Sequence, residues 1–175
     1  MDATLLIALA VIVVVLVLVS QGIRVVQPYQ QVVVFRLGKA DASSVRGPGL
    51  AFLIPVIDRA VTVDLREQFF EGSSNAVTKD NAPVRVDLGL SWRITDPLKM
   101  VVSVVNFPIA LQALTITTFR DIIAERRLDE VVPGRDRVVD EMRDALEPII
   151  ARWGGQLIRV ELGEIAASAG GQGAG

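Results

Sequence analysis

Side chains able to attack, to carry a proton or to hold a metal are scarce in this chain of 175 residues, which has no His and no Cys. The commonest general base near neutral pH, the commonest metal ligand and the thiolate nucleophile are thereby absent. A Ser and Lys pair is what remains for covalent chemistry. The serines to consider are Ser43, Ser44, Ser73 and Ser74 in turn-rich stretches and Ser91 and Ser103 in regular ones, with Lys39, Lys79 and Lys99 as the lysines. Loop serines ordinarily serve turns, so the pair has no support beyond composition. Asp140, Asp144 and Glu147 recur with Arg137 and Arg143 at helical spacing. That is a solvated charged face, because a metal site wants ligands converging from several elements. The Gly-rich tail carries no following Lys and Ser or Thr and no helix, so it is not a phosphate loop. A formal charge of −2, from 18 basic and 20 acidic residues with no basic run among aromatics, gives no nucleic-acid footprint. No catalytic residue, cofactor or metal is implied.

The element that organises the rest is Ala3 to Val19, a run of Ala, Leu, Ile and Val broken only by Thr4. As a helix rising about 1.5 Å per residue it extends about 27 Å to Ser20, close to a thin hydrocarbon layer. Apolar on every face, it predicts a membrane anchor over residues 1–22, with Leu5, Ile7, Leu9, Ile12, Leu16 and Leu18 toward lipid. Ser20, Gln21 and Gly22 also suit a signal-peptide cleavage site. Against that alternative, the first residues carry Asp2 and no cation, and the apolar run is longer than an ordinary signal core. Arg24, Arg36, Lys39 and Arg46 follow the run against Asp41 alone. By the positive-inside tendency they predict a single pass through the cell membrane with the C-terminal part in the cytoplasm. Each such cation near an anionic leaflet contributes about 1 kcal/mol, so the four are candidates for contact with the membrane surface. The alternative is that they only set topology.

Val25–Leu37, rich in Val and broken by Pro28, reads as a strand pair or bent strand closed by Gly38. After a turn-rich stretch to Gly49, the run from Leu50 to Ile57 is either a buried strand or a second lipid contact through Leu50, Phe52, Leu53, Ile54 and Val56. Val84, Val86, Leu88, Leu90, Trp92 and Ile94 alternate with polar residues, which predicts an antiparallel strand with one face on a core. Asp96 and Pro97, then Asn106 and Pro108, are helix starts. The first helix should pack through Leu98, Val101, Val102 and Val105, and the second through Leu111, Leu114, Phe119, Ile122 and Ile123. From Arg135 an amphipathic helix carries Val138, Val139, Met142, Ala145, Leu146, Ile149, Ile150 and Trp153 at three- and four-residue steps, with a kink expected at Pro148. A last strand alternates around Ile158, Val160 and Leu162, and residues 166–175 read as a disordered Ala and Gly tail. The whole predicts an α+β domain over 23–165, antiparallel strands with helices on one side, in lobes of about 23–75 and 76–165.

Several strings in order resemble the stomatin and prohibitin superfamily, the SPFH or band 7 proteins, in its stomatin-like branch. They are Arg24–Tyr29, Arg36–Lys39, Gly47–Leu50 with Pro55, Asp58 and Arg59, Val63–Gln68, Thr78–Asn81, Ile94–Pro97, Thr117 with Thr118 and Arg120, Leu128–Glu130, and Trp153 with Gly154. The resemblance implies a non-enzymatic membrane scaffold that forms homo-oligomers, organises a membrane microdomain and modulates neighbouring membrane proteins. A regulatory subunit of a membrane protease is the alternative, and a membrane-tethered serine hydrolase the third. Members usually continue into a long charged helix that drives ring assembly, whereas this chain ends in Ala and Gly. Self-association is therefore expected through Val138, Val139, Met142, Leu146, Ile149 and Trp153, with membrane lipids as the other partner.

Overall fold

A computed structural model of the chain describes residues 4, 5, 7, 9, 10, 12, 13, 20, 22–54, 57–163 and 165–167. Thr4, Leu5, Ile7, Leu9, Ala10, Ile12, Val13 and Ser20 are helical. Apart from Gly22, the rest of the expected anchor, Leu16 and Leu18 included, lies outside the described residues, as does Val56. Among the described residues no single helix is long and apolar enough to cross a membrane.

The chain divides between Leu65 and Arg66 into two units. This is ten residues before the boundary expected at 75, because the strand over 68–77 pairs with its successor rather than with the strands before it. Unit 1 holds β1 (Ile23–Val26), β2 (Gln30–Arg36), a 3-10 turn at Ala42–Ser44, β3 (Val45–Arg46), β4 (Gly49–Phe52) and β5 (Asp58–Asp64). β1 and β4 form an antiparallel ribbon, and β2 pairs with β3 on one side and β5 on the other. Val26, Val32, Val34 and Ala51, with Leu53 and Ala60 packed against them, make a small core. The expected strand pair over Val25–Leu37 is corrected: two strands, β1 and β2, do lie there, separated by the Gln27–Tyr29 turn, but they pair with β4 and with β3 and β5 rather than with each other.

Unit 2 is built on β6 (Gln68–Val77), β7 (Pro83–Ile94), β8 (Gly155–Leu162) and β9 (Ala166–Ala167), with β6 on one side of β7 and β8 and β9 on the other. Between β7 and β8 run α1 (Pro97–Ser103), α2 (Phe107–Ala124), α3 (Leu128–Val131) and α4 (Arg135–Arg152). All six apolar residues of the alternating run, Val84 to Ile94, are buried, as period two requires of a strand covered on one face. The covering helices start where capping chemistry places them. Asp96 Oδ1 accepts the Lys99 N–H, and Asn106 Oδ1 accepts the Ile109 N–H, each beside a proline in the first turn. α2 packs on β6 and α4 on β8. Phe107 joins the layers, its ring 6.4 Å from Trp92 and 6.0 Å from Trp153. Thr115, polar and fully buried, donates its hydroxyl to the Leu111 carbonyl one turn back.

Four expectations for unit 2 are corrected. Val102, within α1, faces solvent rather than the sheet, as does Val105, which lies beyond the helix end at Ser103 where extended backbone at Val104 turns the chain away. Ile158 is exposed, because the register slips there: Ser91 faces Arg159 while Trp92 faces Leu157, so Ile158 is the extra residue of a β-bulge and Leu157 takes the inward place. Ala166 and Ala167 are not disordered, since they pair with Arg85 and Val84. In α4 only Val138, Met142, Leu146 and Ile150 are fully buried, while Val139 and Ile149 are half-exposed and Ala145 is exposed. The helix runs to Arg152 across Pro148, which sits on the exposed side, where the Asp144 carbonyl it cannot serve is left to water.

Candidate membrane-contact site

Period two splits the β1–β4 ribbon into unlike faces. Val26 and Ala51 turn into the small core, while Val25 and Leu50, directly opposite one another, are 73% and 70% exposed, and Phe52 two residues on is 69% exposed. The ribbon begins where the N-terminal apolar run ends, with the Leu53 N–H donating to the Gly22 carbonyl at 2.7 Å. Lipid contact was expected of Leu50, Phe52, Leu53 and Ile54. Three of these are bare, but Leu53 is corrected: it is half-buried against the small core. Leu5, Ile7, Leu9 and Ile12 are exposed on their helical segment.

Two further apolar residues join at the neighbouring end of β2 and β5. Leu37 and Gly38 form a two-residue turn with φ of 51° and 79°, closed by the bridge between Arg36 and Lys39. A leucine in the left-handed region is uncommon, and this one is 80% exposed. Its N–H donates to the carbonyl of Ile57, itself exposed, and Ile57 N–H donates to the carbonyl of exposed Ile54. Asp58 fastens this tip. Its carboxylate accepts Nε and Nη2 of Arg36 at 2.9 and 3.0 Å and the N–H of Ile54 at 2.9 Å. The Arg36 hydrogen bond, helped by the Ile54 N–H, holds the Asp58 carboxyl down at about 2, well below the usual carboxylate range. Val25, Leu37 and Ile57, not among the residues expected at the membrane, extend this exposed apolar surface. Only Val25 and Ile57 had a local signal, the alternation along β1 and the apolar run after Gly49.

Of the four cations expected at a membrane surface, Arg24, Lys39 and Arg46 are exposed on β1, the tip and β3. Arg36, also exposed, pairs with Asp58. The six residues expected to self-associate are corrected in part, since Val138, Met142 and Leu146 belong to the interior of unit 2, and only Val139, Ile149 and Trp153 are half-exposed. Of the serines expected in turn-rich stretches, Ser73 and Ser74 lie within β6, and the buried Ser74 Oγ has no hydrogen-bond partner among the described residues. Ser43 and Ser44 donate their hydroxyls to Asp41 Oδ1 around the 3-10 turn, and Ser73 Oγ accepts from Arg85.

Residues 24–170 match the model of the SPFH domain / Band 7 family. The chain belongs to that family. It is 35% identical over 157 residues to a stomatin homolog of Pyrococcus horikoshii, which covers 89% of this chain and 58% of that protein. Stomatin-1 of Caenorhabditis elegans is 35% identical over 144 residues, 82% of this chain and 43% of its own length. Mouse stomatin is 28% identical over 144 residues, 82% of this chain and 51% of its own. These relatives place it in the stomatin-like branch of the SPFH proteins, and the chain spans less than two thirds of their length. The strings that carry the SPFH likeness are joints of the fold. Arg36–Lys39 is the turn of the tip. In Thr78–Asn81, Thr78 donates its hydroxyl to Asp80, whose Oδ1 accepts the Leu128 N–H, while the Lys79 N–H reaches the Arg126 carbonyl. This ties the β6–β7 turn to the start of α3.

Proposed function

We propose that this chain is a non-enzymatic, membrane-associated SPFH scaffold that self-associates and organises a patch of membrane. Its N-terminal run is the single-pass anchor, and its larger part lies on the cytoplasmic side. The neighbouring membrane proteins it modulates, a protease among them, belong to the same proposal. The observation that carries the reading is the bare apolar surface of unit 1, where Val25, Leu37, Leu50, Phe52 and Ile54 stand out of the core next to the exit of the apolar run. Full burial of one such side chain is worth about 1.5 to 3 kcal/mol, and each cation near an anionic leaflet adds about 1 kcal/mol. Partial insertion of these residues, with Arg24 and Lys39 alongside, gives unit 1 a second hold on the surface that the anchor provides.

The chain lacks Cys, so single cysteines at Leu37, Phe52 and Thr62 can each carry a polarity-sensitive dye. In anionic bilayers the dyes at 37 and 52 should shift to the blue and be quenched by spin-labelled lipid, while the dye at exposed Thr62 in β5 stays in water. Water-like emission at 37 and 52 would sink the lipid contact. The scaffold half of the reading is checked by mass in detergent, where a strictly monomeric chain would overturn it.

A further inference from the structure

Self-association needs a surface, and the apolar side of α4 is taken up by the interior of unit 2. Resting on the scaffold reading, we propose that the outer edge of β6 is that surface and that its occupant is β6 of a second copy, paired antiparallel about a two-fold axis through Ser73.

β6 pairs with β7 over ten residues on one side, and no strand among the described residues pairs with its other side. An antiparallel strand points the N–H and C=O of alternate residues to opposite sides. The Asn75 carbonyl meets the Arg120 guanidinium, Nε to O 3.1 Å, so Asn75 belongs to the outward set with Phe69, Glu71, Ser73 and Val77. A row of outward backbone groups is a template for another extended strand.

The edge of β8 is guarded against such pairing and that of β6 is not. β8 has the bulge at Ile158, the charges of Arg159 and Glu161, and the Arg135 guanidinium on its Leu162 carbonyl. β6 holds an unbroken register with β7, contains no Pro, and has Glu71 as its one ionisable residue. Beyond the Arg120 contact at Asn75, nothing in its own sequence breaks a ladder.

The sequence of β6 also matches itself. With the axis at Ser73, Phe69 faces Val77 of the second copy, Glu71 faces Asn75, and Ser73 faces its equivalent. Phe69 and Val77 are 53% and 51% exposed, and an aromatic opposite a β-branched residue is a favourable cross-strand pair. Moving the axis to Glu71 would set two carboxylates opposite each other, and moving it to Asn75 would leave Phe69 without a partner, so the complementarity selects one register. Pairing exchanges the Arg120 bond at Asn75 for a backbone N–H from Glu71 of the second copy. The result is an isologous contact that continues one sheet through both copies.

The test uses the full chain in detergent micelles and in liposomes, with Ser73→Cys as its single cysteine. Ser73 is exposed, and its one side-chain partner is Arg85 at 3.2 Å, so the fold tolerates the change. A hydrogen-bonded antiparallel pair sets Cα atoms about 5.5 Å apart, inside the range a disulfide spans. Mild oxidation should double the mass on non-reducing electrophoresis. A mixture of Glu71→Cys and Asn75→Cys chains should cross-link where neither does alone, and Phe69→Lys should shift the unoxidised chain toward monomer. An oligomer that cross-links through Val105→Cys, on the exposed turn between α1 and α2, but not through Ser73→Cys overturns the β6 contact and leaves the scaffold standing. A monomer with no cross-link at any position overturns both. An undiminished oligomer carrying Phe69→Lys also counts against β6.

Discussion

Asp58 sits where two jobs meet, as the acceptor for Arg36 and for the backbone of the loop that bears Ile54 and Ile57. Its carboxyl is lowered from 3.8 to about 2, so the stabilisation it brings is fully present above 3.8 and disappears as the pH falls through about 2. In Asp58→Asn, unfolding followed by circular dichroism should therefore lose part of its pH dependence in that window, and the variant should already be less stable than the parent at neutral pH. An unchanged acid profile would show that the clasp is idle. Gly154 is a second residue with no substitute. Its φ is 81°, and an added Cβ would lie 2.4 Å from the Asp96 carbonyl, at the place where the Gly154 carbonyl itself accepts the N–H groups of Thr95 and Asp96. Gly154→Ala should cost more than the roughly 0.4 to 1 kcal/mol that a compatible Gly→Ala exchange gains, measured as a lower denaturant midpoint.

Among the elements, α4 shows how an amphipathic face can be read correctly and given the wrong use. Its residues at 138, 142, 146 and 150 do lie on one stripe, but the stripe closes the interior of unit 2 over β8 instead of meeting another chain. Met142→Ala should thus lower the stability of unit 2 by about 2 to 5 kcal/mol in urea while leaving the oligomer mass of the folded fraction unchanged. An interface residue would do the reverse. The start of α1 follows local chemistry instead. Asp96→Ala removes the acceptor for the Lys99 N–H and should cost about 1 kcal/mol, with Asp96→Asn or Asp96→Ser restoring most of it.

On the scale of the whole chain, the proposed lipid contact falls on unit 1 and the proposed copy-to-copy pairing on unit 2, so the two should separate. Replacing Leu50, Phe52 and Ile54 together by Ser should abolish dye quenching at position 37 while the disulfide at 73 still forms, and Phe69→Lys should do the opposite. Loss of both by either change would join them into one event. Much of this architecture was legible in the chain because its signals are short-range. The alternation from Val84 to Ile94, the caps at Asp96 and Asn106 and the ordered family strings each depend on residues a few positions apart. What only the tertiary structure decided depends on partners far along the chain. The bulge that turns Ile158 out is set by its register against Trp92, Arg36 meets Asp58 across the β2–β5 pair, and the face of α4 goes to whichever surface packs on it first, here β8. The amino-acid sequence by itself determined which stripes are apolar and where elements begin and stop, because backbone period and capping are local. Which stripe is spent on the interior and which is left exposed was decided by the fold, because burial is a property of the neighbours a residue acquires.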